Sequence, residues 1–401
     1  MEKIVVVGAG QAGASCVMKL RAEGFGGSIT LIGEEPVPPY QRPPLSKAYL
    51  LGEMALERLY LRPESYYVDN GIALMLGQPV ERLDRGARHV VVGGEPVPYD
   101  QLVLATGSVP RRLPEAIGGA LGGVHVVRGL RDVDIMEKQM LAGKKALIVG
   151  GGYIGLEAAA VARKRGMEVV LIEMADRILQ RVACAETSDF FRELHRTHGV
   201  DIREGVGLKR LVGTDHVTGA ILSDGTELAV DVVIVGIGIA PATGLAQDAD
   251  LKVENGILVD EYGRTSDPAI WAAGDCAVFP YRGALIRLES VQNAIDQAEA
   301  VARNILGKNE KYEPKPWFWS DQYDVKLQIA GLNTGYDRVV TRAGEGARSH
   351  WYYKENTLLA VDAMNDPRGY MIGKRLIEAG KSPAPEMVGN PDTDLKPLLK
   401  D

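Results

Sequence analysis

The sequence predicts an α/β protein with two βαβ units of the parallel-sheet kind and a smaller α+β domain near the C-terminus. Three observations predict it. A strand, a glycine-rich turn and a helix pattern occur twice, over 4–23 and 146–165. In both copies the strand is an unbroken apolar run, Ile4-Val5-Val6-Val7 and Ala146-Leu147-Ile148-Val149, as expected of a strand covered on both faces. After a charged, proline-punctuated stretch from 308 to 317, the pattern changes to short alternating strands and a terminal helix.

The elements follow in order. The first strand leads through Gly8-Ala9-Gly10-Gln11-Ala12-Gly13 into a helix reaching about Glu23, and Ser28–Ile32 is the next strand. A β-rich segment follows and ends at Leu102–Ala105. The second unit repeats the device, with Gly150-Gly151-Gly152-Tyr153-Ile154-Gly155, a helix to about Arg165 and the strand Glu168–Ile172. Strands are predicted at Asp231–Val235, Ile257–Val259 and Ile270–Ala273, then a helix over Ser290–Leu306. The last domain reads as strands at Lys326–Ala330, Asp337–Thr341, Ser349–Lys354 and Thr357–Val361, then a helix over Met371–Ala379.

Composition bounds the function. The 401 residues carry 46 Lys+Arg and 53 Asp+Glu, a formal net charge of −7, which argues against a nucleic-acid binder acting through bulk charge. No run of 18 apolar residues occurs, so no membrane span is expected. The N-terminus lacks the pattern of a secretory leader, and a cytoplasmic protein is expected. Cys16, Cys184 and Cys276 are far apart in sequence, which leaves no disulfide framework and no metal-ligand spacing. Glycine is in excess at 47 residues, so the glycine turns need a reason.

Each glycine loop follows a strand and opens a helix, the context in which GxGxxG carries meaning. Gly8 and Gly150 permit the tight turn, Gly10 and Gly152 let backbone approach a pyrophosphate, and Gly13 and Gly155 let helix and strand pack closely. The helix N-terminus adds N–H groups and positive dipole. Two such loops in one chain point to two dinucleotides, and so to FAD together with a nicotinamide nucleotide.

The residue after each second strand sets ribose recognition. Glu173 follows Val169-Val170-Leu171-Ile172 and would accept from ribose hydroxyls. A 2′-phosphate about 4 Å away would be repelled by roughly 4 kcal/mol at an effective dielectric of about 20, on the order of a thousandfold in affinity. NADH is therefore expected over NADPH, with the nearby Arg177 able to soften the preference. A glutamate that only faces solvent is the alternative. In the first unit Gly33 holds the corresponding place, and Glu34, ahead of Glu35, is the candidate for the FAD ribose.

Several segments carry a family likeness. Tyr40-Gln41-Arg42-Pro43-Pro44-Leu45-Ser46-Lys47, Leu104-Ala105-Thr106-Gly107, Gly150 through Glu157, Ala273-Gly274-Asp275-Cys276, Glu289 through Ala294 and Pro316 through Tyr323 occur in one order. Together they resemble the FAD-dependent NADH:ferredoxin reductases of bacterial oxygenase systems, essentially end to end. Gln41 stands where the commoner residue is Asp.

The resemblance implies a glutathione-reductase-like fold with two Rossmann-type dinucleotide-binding domains plus a C-terminal α+β domain. It divides the chain into an FAD-binding domain (1–112 and 243–316), an NADH-binding domain (113–242) and a C-terminal interface domain (317–401). It implies electron flow from NADH through FAD to a [2Fe–2S] ferredoxin serving a cytochrome P450 or a Rieske oxygenase. It also assigns residues. Arg42, Val80, Ala12, Ala105, Thr106, Gly107, Arg131 and Val291 join the first loop as FAD contacts, with Arg131 neutralising pyrophosphate charge. Asp275 would bond the ribityl chain, although an N-cap before a helix-forming stretch is the alternative. Tyr153, Ile154, Gly236 and Gly238 join the second loop and Glu173 around NADH. Lys47 would lie near flavin N5 and pair with Glu157, against the alternatives of a surface lysine and a helix-dipole glutamate. Trp319 would pack near the isoalloxazine, with Trp317 a core aromatic.

The cysteines separate relatives of this fold. Thiol-dependent members need cysteine beside the flavin, and Arg42–Lys47 supplies none. Electrons are thus expected to leave the flavin directly. Lys308, Lys311, Lys315, Lys326, Arg338, Arg342 and Arg348 would form a basic docking face for an acidic ferredoxin, or an ordinary solvated surface, since acids are interleaved. A rubredoxin reductase and an apoptosis-inducing-factor-like signalling flavoprotein are the rival readings.

Overall fold

The computed structural model describes residues 2–400. They fall into two compact units, each assembled from three separate chain segments. The first unit takes the chain up to Arg42, then Ala55–Val109 and Ile239–Pro316. The second takes Pro43–Met54, Pro110–Gly238 and the chain from Trp317 onward.

In the first unit five parallel strands run in the order Ile270–Ala272, Gln101–Leu104, Lys3–Val7, Ser28–Gly33, Ile72–Leu76. Alternate side chains of the central strand enter different cores: Ile4 and Val6 join Leu31, Val103 and Trp271, while Val5 and Val7 join Ile32, Leu102 and Leu104. Both faces are covered, which is why Ile4 to Val7 hold no polar residue and only Lys3, at the exposed start, is charged. The helices Gln11–Ala22 and Val291–Ile305 pack against each other on one of these faces. A three-stranded antiparallel sheet, Val80–Asp84, His89–Val92 and Glu95–Pro98, is hydrogen-bonded separately and packs Leu83, Val90 and Val92 into the core that holds Val5 and Val7.

The second unit repeats the parallel arrangement in the order Val200–Glu204, Glu168–Glu173, Lys145–Val149, Val232–Val235, Val124–His125. It also contains a five-stranded antiparallel sheet in the order Trp317–Gln322, Val325–Gly331, Thr357–Met364, Ala347–Lys354, Arg338–Gly344. The helix Pro367–Glu378 covers it over Trp351, Tyr353, Val361 and Leu376.

Three elements differ from the sequence expectation. The strand Trp317–Gln322 follows directly on the stretch 308–317 that reads as a linker and was not among the expected strands, because its fully buried positions are polar, Ser320 and Gln322, and its tryptophans are half-buried. The helix Ala185–Thr197 was not anticipated, since its buried face is Thr187, Ser188, Phe191 and His195. The helix expected from Met371 begins earlier, at Pro367. Asp366 caps it by accepting from the Gly369 N–H at 2.8 Å, with Pro367 at the first helical position.

A buried polar knot ties the helix Ala185–Thr197 to the antiparallel sheet. Asp362 Oδ2 accepts from the hydroxyls of Tyr352 and, at 2.8 Å, Thr187. With its proton so committed, Thr187 accepts from His350 Nδ1 at 2.8 Å. Burial pushes Asp362 up to about 6 and His350 down to about 4. No helix among the described residues is long and apolar enough to cross a membrane.

Candidate active site

The first glycine loop is shaped by backbone contact. Gly8 has φ +112°, and a Cβ there would sit 2.1 Å from the Ala105 carbonyl oxygen. A Cβ on Gly13 would sit 1.9 Å from the Gly8 carbonyl oxygen, so helix and strand meet through bare backbone. Gly10 is the opposite case: a Cβ there would meet no described atom within 4 Å. The helix it opens has no side-chain cap and no acid in its first turn. This is an open, uncapped helix N-terminus, and its residues fit a pyrophosphate.

The rest of the first unit's site gathers around that turn. Gly274, at φ +82°, brings the Gly274–Asp275 turn against Ala12 and Ala294, early residues of the two packed helices. Asp275 Oδ2 accepts from Ser108 Oγ at 3.0 Å. The stretch after Asp275 is the strand Ala277–Tyr281, so there is no helix for it to cap. Thr106 Oγ1 donates to the Ala242 carbonyl at 2.6 Å, and Gly107 turns at φ +70°. Val80 and Val291 are half-buried at the first residues of a strand and a helix. Glu35, Tyr40 and Arg42 close on one another: Arg42 Nη2 lies 2.7 Å from Glu35 Oε1, and Tyr40 donates to Glu35 Oε2 at 2.6 Å. Glu35 is thereby engaged, while Glu34 is exposed at the strand end.

The second unit copies the loop closely. Gly150 has φ +107°, with a built Cβ 2.4 Å from the Gly236 carbonyl oxygen, and a Cβ on Gly155 would lie 2.0 Å from the Gly150 carbonyl oxygen. Gly152 is open as Gly10 is, and its helix Tyr153–Lys164 also lacks a side-chain cap and a first-turn acid. Glu173 is fixed at this loop, accepting from the N–H groups of Gly151 at 2.7 Å and Ala175 at 2.8 Å. Gly236 packs against the Gly155 backbone, and Gly238, at φ +97°, lies beside Arg181 and Arg111.

The two loops differ at one facing pair. In the first, a Cβ on Gly33 would strike the Ala9 Cβ at 2.6 Å. In the second, Gly151 faces Glu173, and a Cβ on Gly151 would lie 3.3 Å from the Glu173 Cβ. Gly33 is thus held to glycine by Ala9, while Gly151 is held to glycine chiefly by Ile178, whose Cγ2 a Cβ there would meet at 2.6 Å. Where Ala9 takes the loop position, the strand end loses its side chain and the nearest carboxylate moves on to Glu34.

Two expectations at the second loop change. Arg177 donates to the carbonyls of Ala183 and Cys184 and to Ser188 Oγ, so it is committed to the start of the following helix and does not soften the choice of nucleotide. The Tyr153 ring packs tilted against Phe318, with centroids 5.1 Å apart, and its hydroxyl is buried without a partner among the described residues, so the phenol faces the interior. Ile154 remains exposed.

A separate centre forms within the second unit. The turn Pro43–Ser46 delivers Lys47, whose Nζ lies 3.0 Å from Glu157 Oε1. Glu157 is 6% exposed and sits beyond the first turn of its helix, facing inward, which sets aside a plain helix-dipole role. Ser320 Oγ donates to Oε1 at 2.7 Å and Ser46 Oγ to Oε2 at 3.1 Å. Burial raises the carboxyl above its ordinary range, opposed by the Lys47 charge and these hydroxyls. Trp319 is half-buried on the strand that carries Ser320, with Trp317 5.6 Å away. Arg131 is exposed on the helix Leu130–Glu137.

Known proteins match both units. Residues 2–298 match the family described as Pyridine nucleotide-disulphide oxidoreductase, and residues 317–399 match that described as Reductase C-terminal. The chain belongs to the pyridine nucleotide-disulphide oxidoreductase family. A ferredoxin–NAD(P)(+) reductase of Sphingomonas sp is 46% identical over 404 residues, covering 99% of this chain and 97% of the relative. Rhodocoxin reductase of Rhodococcus erythropolis is 42% identical over 399 residues, covering 98% and 93%. The crystal structure of the covalent putidaredoxin reductase–putidaredoxin complex matches with TM-score 0.96 at 40% identity, covering 99% of this chain and 98% of that one.

Within this family the thiols of the chain are inert. Cys16, Cys184 and Cys276 are free and buried, and burial raises all three thiols, Cys16 to about 12. Sequence reasoning found Lys47 and Glu157 but missed Ser46 and Ser320, which bond Glu157, and Gln322 and His195, which follow on from Ser320. The available signals were Ser46, inside the segment that carried Lys47, and Ser320 and Gln322, inside the segment Pro316 through Tyr323.

Proposed function

We propose that this chain is an FAD-containing, NADH-dependent reductase that passes electrons to a [2Fe–2S] ferredoxin feeding a cytochrome P450 or Rieske oxygenase, in the cytoplasm. The observation that carries the reading is the pair of matched loops: two open, uncapped helix N-termini in one chain, each behind a strand–glycine turn. The end-to-end likeness to reductases named for ferredoxins gives the partner its class.

On this reading 1–112 and 243–316 hold FAD, 113–242 holds NADH and 317–401 forms the interface domain. FAD, when bound, accepts a hydride from NADH and supplies electrons singly to the iron–sulfur partner. The chain's own residues bind and orient. Gly8, Gly10, Ala12 and Gly13 hold one pyrophosphate, with Glu34 at its ribose. Arg42, Val80, Ala105, Thr106, Gly107, Arg131, Asp275 and Val291 complete that cofactor's contacts. Gly150, Gly152, Ile154, Gly155, Gly236 and Gly238 hold the nucleotide, and Glu173 selects the ribose without a 2′-phosphate. Tyr153 contributes through its backbone at the helix start. Lys47, charge-balanced by Glu157, is assigned by family likeness to the flavin ring together with Trp319.

An anaerobic titration tests this. NADH is expected to bleach the yellow protein, and cytochrome c reduction is expected to become fast only when a [2Fe–2S] ferredoxin is added, with rubredoxin run in parallel. Bleaching by NADPH alone, or slow turnover with every ferredoxin of the same organism, refutes it.

A further inference from the structure

The Lys47–Glu157 pair continues into a line of buried side chains. Ser320 Oγ accepts from Gln322 Nε2 at 3.1 Å. Gln322 Oε1 lies 2.8 Å from His195 Nε2, and His195 Nδ1 lies 3.4 Å from the Tyr323 hydroxyl. Ser320, Gln322 and His195 are fully buried. Tyr323 is held in place by a turn at φ +56° and by stacking on His198, with ring centroids 3.6 Å apart.

The direction of each bond follows by elimination. Glu157 Oε1 takes the Lys47 ammonium and the Ser320 proton. Ser320 therefore accepts the Gln322 N–H, which turns the amide oxygen toward His195. That oxygen requires a proton on His195 Nε2. In a neutral imidazole Nδ1 is then an acceptor, and it meets the Tyr323 hydroxyl. Burial pushes His195 down to about 4, consistent with a neutral ring. Every donor in the line points toward Glu157.

We infer that Ser320, backed by Gln322 and His195, is a positioning chain that keeps Glu157 ionised and so holds Lys47 in place. The inference deepens the proposed function and rests on its assignment of Lys47. The chain acts by orientation, since an amide in the line does not hand on protons. Lys47 is the charged group facing Glu157 from the turn, and the strand Trp317–Gln322 faces it with the uncharged Ser320. The parallel sheet beneath presents apolar strands, Lys145–Val149 and Val232–Val235. His195 is faced by Gln322, Tyr323 and His198.

The test uses FAD-loaded protein and two readouts besides turnover. The Glu157 carboxyl ¹³C signal, assigned with Glu157→Gln, reports its titration, and ¹⁵N shifts report the His195 tautomer. Ser320→Ala removes a donor to a carboxylate, so the Glu157 titration is expected to move upward by about one pH unit, a tenfold change in proton affinity. The acid limb of flavin reduction by NADH is expected to move with it. Gln322→Leu is expected to release His195 from a single Nε2–H tautomer and shift Glu157 in the same direction, and it serves where Ser320→Ala does not fold. A wild-type His195 protonated on Nδ1, or a Glu157 titration unmoved by either substitution, overturns the chain. A Lys47→Met protein reduced at the wild-type rate, with the Glu157 shift still present, overturns the role of Lys47 and leaves the chain standing.

Discussion

Acidification is expected to weaken this protein through two buried histidines. His195 and His350 each have an ordinary value near 6.5 that burial lowers to about 4 in the folded chain. The unfolded chain takes up these protons first, so the stability present above about pH 6.5 is lost as pH falls toward 4. Between about pH 7.5 and about pH 5, each ring costs about 2 kcal/mol. Asp362 works the other way. Its folded value is raised from 3.8 to about 6, so the folded chain takes that proton first and regains roughly 1 kcal/mol over the same interval. For these three groups together the expectation is a loss of about 2–3 kcal/mol. Equilibrium urea unfolding of the FAD-loaded protein at the two pH values measures it. His350→Gln keeps an amide near Thr187 and removes one titrating ring, and its pH-dependent loss is expected to be smaller by about 2 kcal/mol. A His350→Gln protein that loses as much stability as the wild type would refute the assignment.

Three further outcomes follow from the site. Gly155→Ala places a methyl 2.0 Å from the Gly150 carbonyl oxygen, so the loop must open, and the NADH dissociation constant is expected to rise about tenfold or more while FAD is retained; equilibrium titration reads both. Glu173→Gln removes the charge that repels a 2′-phosphate, and the NADH-over-NADPH ratio of kcat/KM is expected to fall by up to about a thousandfold; an unchanged ratio means that Glu173 only braces the loop. If the basic residues of the C-terminal region steer a ferredoxin, its reduction is expected to slow steeply between low and moderate salt, with flavin reduction by NADH unaffected; salt-insensitive turnover assigns those residues to ordinary surface.

The glycine loops were legible because their chemistry is local: a strand, a turn and a helix start lie within ten residues and obey backbone sterics. Glu173 was legible for the same reason. The centre around Glu157 was legible only at Lys47 and Glu157 themselves, because its donors come from distant segments and are polar residues in buried places. Ser320 and Gln322 lay inside the segment Pro316 through Tyr323 that carried the family likeness, but as polar residues they gave no sign of burial and their strand was not among those expected. His195 disguised its helix in the same way. The absence of a side chain at Gly33, which puts the proposed ribose acid at Glu34, goes with Ala9 facing Gly33 across the fold, a contact that no periodicity records. The helix-cap alternative for Asp275 rested on the helical composition of the residues after it, while pairing with Ile257–Leu258 and Ala284–Ile286 makes them a strand.

The segmented build of the first unit sets a demand during synthesis. The strand Gln101–Leu104 is flanked by Lys3–Val7 on one side and by Ile270–Ala272 on the other. The second neighbour is translated only after the intervening residues of the second unit. At about 5–20 residues per second, that edge stays unpaired on the ribosome for roughly 8–30 s. For that interval a nascent chain rich in Val, Leu and Ile carries an open strand beside exposed apolar faces. Yield in a foreign host is therefore governed by how long the emerging chain is shielded, and slower growth or added holdase capacity should raise it more than any substitution in the finished core.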